Sequence, residues 1–143
     1  MGRNAVILLA EDDEGHAGLI VKNLRRAGVG NRILVFRNGE DILTFLSGEG
    51  KNLCLEDEGS CILLLDIRMP GIDGIEILQK LRRDEALRNI PVIIITTTDE
   101  PGTIRKCYEL GCKGYIIKPV DYDRFIETVR ELGEFLLKMD APR

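Results

Sequence analysis

Asp66 closes the apolar run CILLLD at residues 61–66, and Arg68-Met69-Pro70-Gly71 turns the chain away at once. An ionised carboxylate at the end of such a run is costly to bury without a partner. Candidate partners stand at the ends of other apolar runs. Glu11, Asp12 and Asp13 follow AVILLA (5–10), Thr96 lies in VIIITT (92–97), and Lys118 ends YIIK (115–118). Clustered carboxylates raise one another's pKa unless a cation lies among them. Mg²⁺ suits such a cluster because it takes carboxylate, water and phosphate oxygens, and Mn²⁺ could substitute for it. An aspartate held by a cation and a lysine, with a hydroxyl beside it, is equipped to accept a phosphoryl group. The metal, the Lys118 ammonium and the Thr96 hydroxyl would meet the charge on the transferred oxygens. Singly, each residue has a plainer role. Asp13 and Asp73 suit helix caps, Lys118 a surface position and Thr96 a strand. Their coincidence at successive strand ends is what points to chemistry.

The elements that must position these residues are legible as patterns. AVILLA, CILLLD and VIIITT are continuous apolar runs, which suit strands buried on both faces. RILVF (32–36) and YIIK are shorter candidates. Between them lie helical stripes. Ala17, Ile20, Leu24 and Ala27 run up to Gly28, and 38–46 carries Ile42, Leu43, Phe45 and Leu46. Ile75, Leu78 and Leu81 follow Asp73; Ile104, Cys107 and Tyr108 follow Pro101; Phe125, Val129, Leu132 and Leu136 follow Asp121. Five strands alternating with five helices predict an α/β fold, a doubly wound parallel sheet with helices on both faces. In such sheets functional groups gather beyond the carboxyl ends of the strands. The Gly-rich, acidic segment 47–60 is expected to be a surface loop.

The bulk numbers exclude several classes. With 143 residues, 44% hydrophobic and 31% charged, the chain fits one soluble globular domain. We expect a core over about 4–137 and a short tail at 138–143. Net charge is −4 with no basic block, which argues against nucleic-acid binding. No apolar run approaches the roughly 20 residues of a membrane span, and the start lacks a signal-peptide pattern, so the cytoplasm is expected. Cys54, Cys61, Cys107 and Cys112 match no zinc spacing, and the one histidine, His16, is distant in sequence. Ordinary reduced thiols are the expectation.

ILLAEDD (7–13), LLLDIRMPGIDG (63–74), IPVIIITT (90–97) and GYIIKPV (114–120) together resemble the receiver domains of two-component response regulators. The motifs fall in order and span almost the whole chain. The resemblance implies a CheY-like, flavodoxin-like (βα)5 fold with strand order 2-1-3-4-5, in a signalling protein rather than an enzyme. It implies Asp66 as the phosphorylated residue, Thr96 as switch hydroxyl, Lys118 as phosphoryl-binding lysine and Tyr115 as switch aromatic. It places Mg²⁺ on Glu11, Asp12, Asp66 and the main-chain carbonyl of Arg68, and it implies a cis Lys118–Pro119 bond. Arg68 and Thr98 fall where this family tunes phosphoryl lifetime, and Thr97 is bulkier than usual. The partner implied is a histidine kinase. Segment 47–60, DDEGHAGLI (12–20) and the lack of an effector region are similar to small regulators paired with bacterial phytochrome kinases. Output would leave through a surface of the fourth helix, fifth strand and fifth helix to a downstream protein, or through a homodimer along Leu132, Phe135 and Leu136. A phosphate sink, an intermediate phosphorelay carrier and a flavodoxin-like cofactor carrier stand as alternatives.

Overall fold

The structure, a computed structural model, describes residues 2, 4–55 and 61–139. Five parallel strands, β1 (Val6–Ala10), β2 (Ile33–Phe36), β3 (Cys61–Leu65), β4 (Val92–Thr96) and β5 (Gly114–Ile117), form one sheet in the order β2-β1-β3-β4-β5. The apolar runs are continuous where strands are covered twice: every residue of β1, β3 and β4 is buried, while edge strands β2 and β5 are only partly so. Alternation of side chains splits the interior in two. Ile7 and Leu9 face a core with Ile20 and Leu24 of α1 (Glu14–Arg26) and Val129, Leu132 and Leu136 of α6 (Tyr122–Lys138). Val6, Leu8 and Ala10 face the other, with α2 (Gly39–Ser47), α4 (Gly74–Arg83) and Cys107 of α5 (Pro101–Glu109).

Helix starts follow side-chain chemistry. Asp13, Asn38, Asp73 and Asp121 accept backbone N–H bonds at 2.8–2.9 Å from His16, Asp41, Glu76 and Asp123. Such a cap contributes about 1 kcal/mol. The apolar stripe of α6 divides: Leu132 and Leu136 pack inward, whereas Phe135 and Leu137 stay exposed. Tyr108, placed by its spacing on one side of α5 with Ile104 and Cys107, is exposed, whereas Cys107 is buried.

Three expectations need correction. Segment 47–60 is not simply a loop: Glu49–Leu55 forms a sixth helix, α3, while 56–60 lie outside the described residues. The helix folds back so closely that a Cβ on Gly50 would lie 2.3 Å from the Phe45 ring. Cys54 and Cys61 are not free thiols but a disulfide, with Cα atoms 5.1 Å apart; the fold-back of α3 brings Cys54 to the first residue of β3. Cys107 and Cys112 are free and buried. The Lys118–Pro119 bond is trans, since no cis peptide occurs among the described residues. Lys118 is aimed instead by its sheet register, its N–H donating to the Thr96 carbonyl at 2.7 Å. Residues 140–143, most of the expected tail, lie outside the described residues.

Candidate functional site

The central strand ends build the site because the ladder runs one residue past the strands. Glu11 N–H donates to the Phe36 carbonyl at 2.9 Å and Asp66 N–H to the Ala10 carbonyl at 3.0 Å. The two acids are thus fixed as firmly as strand residues and are buried, Glu11 completely and Asp66 to 4% exposure. The turn after Asp66 depends on two glycines. Gly71 has φ 77°, a conformation costly for other residues. A Cβ on Gly74 would lie 2.5 Å from the Asp66 carbonyl oxygen, so only glycine lets α4 start against this backbone.

Lys118 supplies the charge that Asp66 needs. Its Nζ donates to Asp66 Oδ2 at 2.8 Å, to Glu11 Oε1 in a very short contact, and lies 3.1 Å from His16 Nδ1. The Asp13 and Arg68 N–H groups satisfy Glu11 Oε2 and Asp66 Oδ1, each at 3.1 Å. Burial pushes the Glu11 carboxyl up to about 7 despite the lysine hydrogen bond, and the Asp66 charge adds to the rise. Burial alone would lower Lys118, but its bonds to Asp66 and Glu11 outweigh that and its pKa is raised. The His16 N–H holds Asp13 below the usual carboxylate range.

One ammonium faces three carboxylates here. Oxygens of Glu11, Asp12 and Asp66 all lie within 4.8 Å of one another, with Asp12 exposed at the mouth. A hard-oxygen set short of positive charge fits a divalent cation such as Mg²⁺. At the end of β4, next to β3 in the sheet, Thr96 Oγ1 is buried without a hydrogen-bond partner. An orphaned hydroxyl costs about 1–3 kcal/mol, a penalty that a bound oxyanion would remove.

Of the expected residues, Glu11, Asp12, Asp66 and Lys118 therefore meet in one place, with one qualification and two additions. Arg68 engages Thr98 with its side chain, its Nε donating to Thr98 Oγ1 at 2.9 Å. Tyr115 is half-buried, its hydroxyl donating to the Thr98 carbonyl at 2.7 Å, and burial pushes its pKa up to about 12. Thr97 points to solvent. Sequence reasoning gave Thr98 no contact with Tyr115 and left His16 without a role. His16 sits in the first turn of α1, directly after the acidic loop, and that placement is the signal that could have flagged it.

A sheet ordered in this way, with acids after β1 and β3 and a lysine after β5, defines a CheY-like α/β domain. The chain belongs to the response regulator receiver domain family, which matches residues 7–130, and it is a signalling protein of two-component systems. Similar solved structures agree. A response regulator receiver domain from Rhodospirillum rubrum is 42% identical at TM-score 0.89, covering 96% of this chain and 97% of that one. The Mn²⁺-bound form of response regulator Rcp1 is 26% identical at TM-score 0.85, covering 97% and 99%. The phosphorylated cyanobacterial phytochrome response regulator RcpA is 27% identical at TM-score 0.84, covering 98% and 99%.

Proposed function

We propose that Asp66 accepts a phosphoryl group from a phosphohistidine of a partner histidine kinase, the chain working in the cytoplasm as a single receiver unit. The observation that carries this reading is the buried Asp66 carboxylate held by Lys118, and the unpartnered Thr96 hydroxyl at the end of the neighbouring strand supports it. An Asp66 oxygen attacks phosphorus; the P–O bond forms as the P–N bond breaks, and that bond pair leaves with the imidazole nitrogen. Lys118 and Thr96 meet the oxygens of the arriving group. Glu11, Asp12, Asp66 and the Arg68 carbonyl would hold Mg²⁺, or Mn²⁺ as in the Rcp1 structure, which supplies positive charge against the phosphoryl oxygens.

Once Thr96 turns to the phosphoryl group, it leaves room for the Tyr115 ring. The Tyr115–Thr98 bond then becomes the contact to break, and the face formed by α5, β5 and α6 is biased toward a second arrangement. Exposed Tyr108, Ile117 and Phe135 make that face the natural output surface, for a downstream protein or a second copy of this chain. Likeness to RcpA favours a phytochrome kinase as donor. The Glu-Asp loop after β1, in place of a phosphate-cradling one, argues against cofactor carriage. Asp66→Asn tests the reading: with acetyl phosphate and Mg²⁺ the variant should take no label, and labelling equal to the unaltered protein would refute the assignment.

A further inference from the structure

His16 has a position that neither fold nor acid cluster requires. Its backbone caps onto Asp13, its ring rests on Phe125 of α6 with centroids 5.3 Å apart, and its Nδ1 lies 3.1 Å from Lys118 Nζ. An ammonium has only hydrogens to offer, so a hydrogen bond in this contact has Nδ1 as acceptor, the role that the Nε2–H tautomer allows. Asp13 Oδ2 lies farther off, 3.9 Å from Nδ1. Lys118 then has its three donors directed to three acceptors: Glu11, Asp66 and His16. Two carboxylates leave a long, flexible side chain free to roll about the line joining them. A third acceptor removes that freedom. An imidazole nitrogen in that role holds the ammonium without adding to the negative charge the lysine must offset.

We propose that His16, as the Nε2–H tautomer, is a positioning residue that fixes Lys118 for phosphoryl transfer to Asp66. The inference rests on the phosphoryl-acceptor reading above. It concerns the rate at a saturating donor, since His16 acts through Lys118 rather than by touching the donor. Losing one neutral hydrogen bond should slow that rate about three- to tenfold.

The test uses the full chain with Mg²⁺ and acetyl phosphate, which needs no kinase docking surface. His16→Phe keeps a ring against Phe125 but removes the acceptor; His16→Asn keeps an acceptor oxygen near the place of Nδ1. The Phe variant should lose maximal rate with an unchanged half-saturating donor concentration, and the Asn variant should recover most of the loss. Equal rates for the two variants, or an effect confined to half-saturation, would overturn the proposal. The chain has a single histidine, so ¹⁵N NMR of the unphosphorylated protein reads this imidazole alone. The Nε2–H tautomer is expected, with an Nδ1 signal that shifts in Lys118→Met; the other tautomer, or a spectrum indifferent to that change, overturns it as well. This spectrum decides the matter should His16→Phe fail to fold. It is also independent of Asp66→Asn labelling, so failure of the acceptor reading and failure of this one are told apart.

Discussion

Glu11 sits where water does not reach, and its ionisation links stability to pH. In the unfolded chain it releases its proton near the ordinary value of 4.5, but in the metal-free fold it holds it to about 7. Between those values the unfolded state binds fewer protons, so stability falls as pH rises through this window. Asp13 works in the opposite sense, but only around and below 3.8, and Lys118 titrates above the window. Metal-free protein should therefore melt lower at pH 7.5 than at pH 5.5, by on the order of 5 °C. Glu11→Gln should flatten the difference. Added Mg²⁺ should raise the melting temperature more at pH 7.5, where the carboxylate is free to bind it. A flat profile for the unaltered protein would remove this account of Glu11. Asp66, Thr96 and Lys118 were legible in the sequence because each closes an apolar run and parallel strands end on one side. The His16–Lys118 contact was not, because 102 residues separate the start of α1 from the lysine after β5 and only the folded chain brings them together.

Among the elements, α3 is the one that local signals concealed. Gly48, Gly50 and the surrounding acids read as a surface loop, and the helix forms because it packs on α2 and is tied to β3 by Cys54–Cys61. The cysteine pairing was invisible for the same reason: it follows from the fold-back, not from spacing. The strands were the easiest elements to read, since burial on both faces leaves continuous apolar runs. Closing a short covalent loop, here with a separation of seven residues, stabilises by about 2–3 kcal/mol in the chain-entropy picture. Urea unfolding with and without dithiothreitol should show a loss of that size, and Cys54→Ser should reproduce it without reductant. Denatured, unreduced protein should take up two alkyl labels, at Cys107 and Cys112, and four after reduction. Four labels before reduction would dismiss the bond.

For the molecule as a whole, the output surface proposed above lies on α5, β5 and α6. A groove of about 310 Å³ runs between them, bordered by Tyr108, Tyr115, Leu132 and Phe135, with Lys113 and Glu131 at its rim. No described helix is long and apolar enough to cross a membrane. Sedimentation velocity should show a concentration-dependent monomer–dimer equilibrium that beryllofluoride shifts and Phe135→Glu weakens by at least tenfold. A single monomeric species at high concentration under both conditions would leave the face to a different protein.

The sheet order carries a consequence for how the molecule comes into being. β1 and β3 pair centrally, yet Lys118 follows β5, the last of the described strands to be made. A nascent chain leaving the ribosome therefore displays its acids long before their counter-charge has been translated. A product terminated ahead of residue 118 would carry all three acids and lack the ammonium that holds two of them in the folded chain.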